Sequence, residues 1–237
     1  MANIAFDVDG VLTNLEKFQL DTGKKYFGED SVKDPTKYDV KDIFDVSKKN
    51  REKYWLKYIW PYCITEEMRA HASEISKKLK EDGHKIYIIT GRVHTTEDGV
   101  RGKLFRKMLL SWLKKNDFVY DEIIYVNENN SAEEKLNACK ENNIDLMIED
   151  KTENIEVIKD VSSVICVNAE YNENADFGDI VRIDNFDNGY EVINSVLEKD
   201  NKSFKVLSNE EMDELSQDEL KKYYEKMREY YKNKPLD

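Results

Sequence analysis

Cysteine is scarce in this chain. There are three in 237 residues, Cys63, Cys139 and Cys166, and none forms a C-x-x-C pair, so zinc-ribbon and dithiol redox chemistry lack their ligands. Cys139 shares a helical stripe with Ala132 and Leu136, and Cys166 lies in the apolar run 164–167. Both are expected in a core, and a reducing, cytoplasmic setting is expected with them. Glycine (9) and proline (3) are few, which excludes collagen-like and low-complexity chains. Long hydrophobic runs are missing too. The stretches 86–89 and 123–126 are far shorter than the roughly 20 residues of a membrane span. The N-terminus Met-Ala-Asn-Ile-Ala-Phe-Asp has no basic n-region, which argues against a signal peptide. Positive charge is in deficit: 37 Lys and Arg stand against 49 Asp and Glu, a formal net charge of −12. That leaves no basic footprint for a nucleic-acid polymer and none for a membrane surface.

What is present suits a folded, soluble chain of one to two domains, with 40% hydrophobic, 11% aromatic and 36% charged residues. The run 3–8 reads as a buried strand ending in Asp7-Val8-Asp9-Gly10. A mostly helical, aromatic-rich stretch follows. Leu15, Phe18, Thr22 and Tyr26 have helical spacing, 33–45 reads as irregular, and a helix over 51–60 is expected to stop at Pro61. Thr65 is expected to cap a helix whose stripe is Met68, Ala72, Ile75 and Leu79. The chain then alternates. Strands are expected over 85–89, 122–126, 144–148, 164–167 and 180–183. Between and after them come helices over 100–115 (Leu104, Met108 and Trp112 on one face), from a Ser131–Glu134 capping box to about 142, around Ile155 and Ile158, and over 188–199. After a linker over 200–207, capping boxes at Ser208–Glu211 and Ser216–Glu219 open a helix or helix pair lined by Met212, Leu215, Leu220, Tyr223, Met227 and Tyr230.

Alternating apolar strands and helices predict an α/β fold, a Rossmann-like parallel sheet with helices on both faces. Ligands of such sheets bind beyond the carboxyl ends of the strands. The residues there are Asp7, Asp9 and Gly10, then Thr90, Gly91 and Arg92, then Glu149 and Asp150. Like charges about 4 Å apart repel by about 4 kcal/mol at an effective dielectric near 20, so this convergence calls for a cation. Oxygen donors favour Mg²⁺, with Asp7, Asp9, Glu149 and Asp150 as candidate ligands. A phosphate suits the rest: Thr90 offers a hydroxyl, Gly10 and Gly91 allow close backbone approach, and Arg92 and Lys135 add positive charge. Asp7 is then the candidate nucleophile, and Asp9 the group that protonates the leaving oxygen and later deprotonates water.

The strand-borne Asp-Val-Asp-Gly-Val-Leu-Thr at 7–13 resembles the first motif of the haloacid dehalogenase-like (HAD) superfamily. Thr90-Gly91-Arg92 resembles its second motif, Lys135 its third and Glu149-Asp150 its fourth. The likeness spans roughly residues 1–200. Ile148-Glu149-Asp150-Lys151-Thr152-Glu153-Asn154, Tyr171-Asn172 and Val181-Arg182-Ile183 look like the bacterial nucleotidases allied to the 5′(3′)-deoxyribonucleotidases. This resemblance implies a catalytic core over 1–13 and 63–200, a small helical cap over 14–62 inserted after the first strand, and an extension over 201–237. Glu149 stands where many relatives have Asp, which makes Asp150 the main expected metal ligand. The implied activity is a Mg²⁺-dependent phosphomonoesterase acting on a small phosphorylated metabolite, first of all a nucleotide. The alternatives are a phosphatase of sugar phosphates, a dehalogenase, or a non-catalytic regulatory protein. Asp9 argues against a dehalogenase, since a departing halide needs no proton. Tyr54, Trp55, Tyr58, Trp60 and Tyr62 are candidates for stacking on a base, or for the cap's own core. The basic run Lys48, Lys49, Arg51 and Lys53 is expected in solvent, and the C-terminal helices on the body or at a homodimer interface.

Overall fold

The computed structural model describes residues 1–202, 207–208, 212 and 215–232, in two compact units, Met1–Val192 and Ile193–Asp237. The first unit is built on a six-stranded sheet: β1 Asn3–Phe6, β2 Lys85–Thr90, β3 Glu122–Tyr125, β4 Leu146–Glu149, β5 Ser163–Val167 and β6 Val181–Ile183. The strand order is β3-β2-β1-β4-β5-β6. Every pairing is parallel, with Phe6 opposite Ile88 on one side and Ile148 on the other. Helices link the strands or, in the case of α8, follow the last: α1 Leu15–Phe27, α2 Val40–Ile43, α3 Lys48–Thr65, α4 Ala72–Glu81, α5 Gly99–Lys115, α6 Ser131–Glu141, α7 Thr152–Ile158 and α8 Gly189–Lys202.

Side chains alternate across the strands, so each sheet face gathers its own core. Ala5, Tyr87, Ile89, Met147, Val164 and Cys166 line one face and pack on Ala138 and Cys139 of α6 and on Ile155 and Ile158 of α7. On the other face the Phe6 ring meets Phe118 edge-on at 5.5 Å and Phe186 at 6.4 Å. The expected α/β architecture is therefore the observed one. Both cysteines expected inside are buried, and so is Cys63.

Local expectations differ from the structure at several points. The segment 33–45 contains α2, opened by Asp39, whose carboxylate accepts from the Lys41 N–H at 2.8 Å. Pro61 does not end its helix. It lacks the N–H that would reach the Lys57 carbonyl, yet α3 runs on to Thr65 because the last turn is fixed from outside. Tyr62 and Cys63 are buried there, and the Thr65 hydroxyl donates back to the Pro61 carbonyl at 2.7 Å. Thr65 thus finishes α3 rather than capping the next helix. The residues after it form a loop pinned by the Arg69 N–H on the Leu12 carbonyl (2.8 Å), and α4 starts late, behind a left-handed His71 (φ 65°). Leu104 is exposed, and Phe105 takes its place on the buried face of α5. The Ser131–Glu134 capping box does not form. Asn130 holds the cap position, Ser131 donates to Asn154 Oδ1 at 3.0 Å, and Glu134 accepts from the Asn127 N–H.

The helices inserted between β1 and α4 have an apolar cluster of their own, in which Val40, Ile43, Phe44 and Tyr54 are buried. A second cluster joins Leu15, Phe18, Tyr62 and Cys63 to Phe105 and Met108 of α5. The division between the two units falls inside α8. In the second unit, Ser216 and Glu219 form the expected reciprocal box (2.8 and 3.4 Å) at the head of helix α9, Gln217–Lys232. The expected box at Ser208–Glu211 lies outside the described residues, as does the side chain of Tyr230. Among the described residues no helix is long and apolar enough to cross a membrane.

Candidate active site

The carboxyl edge of the sheet carries the site. The Asp7 N–H donates to the Ile148 carbonyl at 3.1 Å, so the β1–β4 ladder reaches one residue past the strand and aims Asp7 at the edge. The chain then turns. The Val8 carbonyl accepts from the N–H groups of Leu12 and Thr13 (both 2.9 Å) and from the Thr13 hydroxyl (3.1 Å). Gly10 has φ +91°, and a Cβ there would stand 1.9 Å from Asp150 Oδ2, so the loop after β1 and the end of β4 meet only through a glycine. Thr90, at the end of β2, is fully buried and accepts from the Arg92 N–H at 3.2 Å.

Lys135 reaches this edge from α6. Its Nζ lies 2.9 Å from Asp7 Oδ2 and 2.6 Å from Glu149 Oε2, and it is only 1% exposed. Burial pulls its pKa down, but the two carboxylates outweigh this and raise it, so the ammonium stays charged. Glu149 Oε1 accepts from the N–H groups of Asp150 (3.0 Å) and Lys151 (3.1 Å), and Oε2 also accepts from Asn154 Nδ2 (3.2 Å). Burial disfavours its charge, yet Lys135 and these donors hold it below the ordinary carboxylate range. Glu149 is thus largely engaged by protein groups.

Asp7 and Asp150 are different. Asp7 Oδ1 and Asp150 Oδ1 are buried without a hydrogen-bond partner. The Tyr171 hydroxyl takes Asp150 Oδ2, and Asn172 Nδ2 takes its carbonyl at 2.7 Å. Burial raises Asp7 to about 7, with Lys135 opposing and Glu149 and Asp9 adding. Asp150 is pushed well above the carboxylate range by burial and then by Glu149 and Asp7. One oxygen from each of Asp7, Glu149 and Asp150 falls within a common 4.8 Å. Two open carboxylate oxygens in such a cluster are the donors a hard divalent cation takes, so the residues present fit Mg²⁺.

Asp9 lies apart from that cluster. Its Oδ1 accepts from the Tyr62 hydroxyl at 2.8 Å and forms an ion pair with Arg92 at 2.9 Å. Asp9 is expected among the metal ligands; its Oδ1 is engaged by these partners, while its side chain still lines the cavity. Arg92, expected on phosphate, is itself fully buried and faces Asp9. Lys135 and Thr90 stand at the edge as expected, and Gly91 lines the cavity beyond it.

That cavity encloses about 660 Å³, with Asp7, Asp9 and Lys135 at one end and Tyr38, Trp55 and Ile59 on the inserted side. Tyr54 is wholly buried inside the insertion, and Tyr58 packs on Phe18, Tyr26 and Tyr54. Trp60 turns outward and touches Phe105. Of the five expected aromatics, Trp55 and Tyr62 line the cavity. Lys48, Lys49 and Lys53 are in solvent as expected, whereas Arg51 pairs with Asp39 at 2.7 Å. Sequence reasoning passed over Tyr38, Ser131 and the support from Asn154. It noted Tyr171 and Asn172 only for their resemblance; their hold on Asp150 spans more than twenty residues and has no local signature.

Residues 1–200 match the family described as 5′ nucleotidase, deoxy (pyrimidine), cytosolic type C protein. Nucleotidase CA_C3379 of Clostridium acetobutylicum is 24% identical over 199 residues, covering 83% of this chain and 96% of that protein. The fold is similar to that of "a predicted phosphatase from Clostridium acetobutylicum" (TM-score 0.58, 16% identity, 82% of this chain and 98% of that one). It is similar also to the haloacid dehalogenase-like hydrolase SP0104 of Streptococcus pneumoniae (TM-score 0.54, 15% identity, 82% and 98%). With a match over residues 1–200, the chain belongs to the family described as 5′ nucleotidase, deoxy (pyrimidine), cytosolic type C.

Proposed function

We propose that the protein is a Mg²⁺-dependent phosphomonoesterase that works through an aspartyl-phosphate on Asp7, with a nucleoside monophosphate as its substrate. One observation carries this reading: Asp7 and Asp150 each present a buried carboxylate oxygen that no protein group satisfies, while Lys135 neutralises the other oxygen of Asp7. Mg²⁺ held by Asp7 and Asp150 would offset the charge of a phosphoryl dianion in a chain of net charge −12.

The remaining chemistry belongs to side chains. The Asp7 carboxylate forms a bond to phosphorus as the bond to the ester oxygen breaks, and Asp9 gives that oxygen a proton. Asp9 then takes a proton from the water that attacks phosphorus. The bond to Asp7 breaks, and phosphate and a free carboxylate result. Lys135 balances charge on Asp7 through both steps. The Thr90–Gly91 turn receives the phosphoryl oxygens, and the insertion over 14–62 acts as a cap that walls the cavity against water. Support for a nucleotide comes from the family, from the relative named a nucleotidase, and from a cavity of about 660 Å³ with Tyr38 and Trp55 in its wall.

Phosphate release from nucleoside monophosphates and from sugar phosphates, with Mg²⁺ and with EDTA, tests the reading. The expected result is release only with Mg²⁺ and a preference for nucleotides of more than about tenfold, or about 1.4 kcal/mol in transition-state binding. Equal activity in EDTA overturns the metal site, and equal rates for both substrate classes overturn the nucleotide assignment.

A further inference from the structure

Arg92 and Tyr62 have no task in this mechanism, yet both are buried at its centre. Arg92 is 2% exposed, with its guanidinium carbon 5.0 Å from the Tyr62 ring and 5.7 Å from the Trp112 ring. A guanidinium so deeply buried is tolerated only against a matching charge, and Asp9 supplies it at 2.9 Å. The Tyr62 hydroxyl donates to the same oxygen, Oδ1, at 2.8 Å, and the Thr13 hydroxyl lies 2.8 Å behind it. Two groups from different elements therefore act on one oxygen of Asp9, Tyr62 through a hydrogen bond and Arg92 through charge, since no guanidinium nitrogen of Arg92 makes a hydrogen bond. The side chain of Asp9 nevertheless lines the cavity and keeps 19% of its surface open.

We propose that Arg92 and Tyr62 are positioning residues: they clamp Asp9 Oδ1 so that Oδ2 faces the leaving oxygen. The proposal rests on the reading of Asp9 as proton donor. A proton donor must lie within about 2.6–3.2 Å of the oxygen it serves, and a misplacement of about 1 Å can cost about a hundredfold. An unclamped aspartate would sample several rotamers about two torsions, whereas the clamp leaves it one. Thr13 immediately precedes the inserted segment and Tyr62 ends it, so the contact between their hydroxyls ties the insertion's two ends beside Asp9. A movement of the insertion that displaced Tyr62 would release one side of the hold on Asp9.

The test compares two esters of similar size. p-Nitrophenyl phosphate expels a phenolate that needs no proton. Benzyl phosphate expels an alkoxide, which must take the proton of Asp9 as its bond to phosphorus breaks. Because kcat/KM reports only the steps through departure of the leaving group, the benzyl-to-nitrophenyl ratio of kcat/KM reads proton donation directly. Tyr62→Phe and Arg92→Met are expected to lower that ratio about tenfold or more, through kcat rather than KM, and Arg92→Lys to recover part of it. Tyr62→Phe removes only a hydroxyl from a ring already packed 4.8 Å from Phe18, so it folds even if Arg92→Met does not. Equal loss on both esters, or no loss, overturns the clamp. Asp9→Asn separates the two readings. If it leaves the ratio unchanged, Asp9 is not the donor and the mechanism fails. If it collapses the ratio while both clamp variants retain it, the mechanism stands and the clamp is refuted.

Discussion

The sheet edge and the inserted helices lie on opposite sides of one cavity and are held by opposite forces. At the edge, Asp7, Lys135, Glu149 and Asp150 are all buried, and an alternation of charge keeps them in place. In the insertion, Phe27, Phe44, Tyr54 and Tyr58 are held by ring packing, with centroids 4.9–5.8 Å apart. A charged cluster is sensitive to the identity of a few atoms and contributes little net stability. An aromatic cluster is stabilising in proportion to what it buries. Substitutions at the edge should therefore act on turnover, and those in the insertion on folding.

The largest expected effect is at Asp7. Asp7→Asn keeps the shape and removes the proposed nucleophile, so turnover should fall by at least about a thousandfold, or about 4 kcal/mol of barrier, with a melting temperature close to that of the parent. Steady-state kinetics beside a thermal melt checks both halves. Lys135→Met should break the comparison. It strips the cation from between Asp7 and Glu149, which costs about 3–5 kcal/mol of stability as for other severed buried pairs, and it slows turnover about a hundredfold. Urea unfolding measures the first and single-turnover kinetics the second. Tyr54→Ala should cost about 3–5 kcal/mol of stability, with kcat per folded molecule nearly unchanged; a loss of kcat without a loss of stability would place Tyr54 in the site. Asp150→Asn should raise the Mg²⁺ concentration needed for half-maximal rate by about tenfold or more, about 1.4 kcal/mol, as read from a Mg²⁺ titration. Trp60→Ala should sharpen the contrast by doing almost nothing, since Trp60 is 44% exposed; a melting curve should show a change within about 0.5 kcal/mol.

The sheet and the strand-end residues were legible because they follow from a short-range pattern and one rule of topology. Six apolar runs, most of them separated by helical stripes, give a parallel sheet, and a parallel sheet carries its polar strand-end residues to one edge. Asp7, Thr90, Glu149 and Asp150 needed no more than that, while Lys135 was assigned through its position in a helix after the third strand. Partner choice was not legible. That Arg92 turns to Asp9, Ser131 to Asn154, and Tyr171 to Asp150 depends on side chains 83, 23 and 21 positions apart. Nothing in the neighbouring sequence announces such pairs. Pro61 shows the same limit from the other direction: its local preference ends a helix, and contacts made by Tyr62 and Cys63 elsewhere in the fold override it.

The strand order has a consequence for the chain as it is made. β1 lies in the middle of the sheet, between β2 and β4. Its first partner is complete at residue 90 and its second only at residue 149. At about 5–20 residues per second, the β4 side of this largely apolar strand waits roughly 3–12 s after the β2 side can close. During that interval Ile4, Ala5 and Phe6 present an unpaired edge. Asp7 is already made, Lys135 arrives only late in the interval, and Glu149 and Asp150 close it. The nascent protein is therefore most open to wrong strand pairing in the window before the last acidic residues of the sheet edge arrive, and a ribosome stalled between residues 90 and 149 would display β1 to any strand that could extend the sheet.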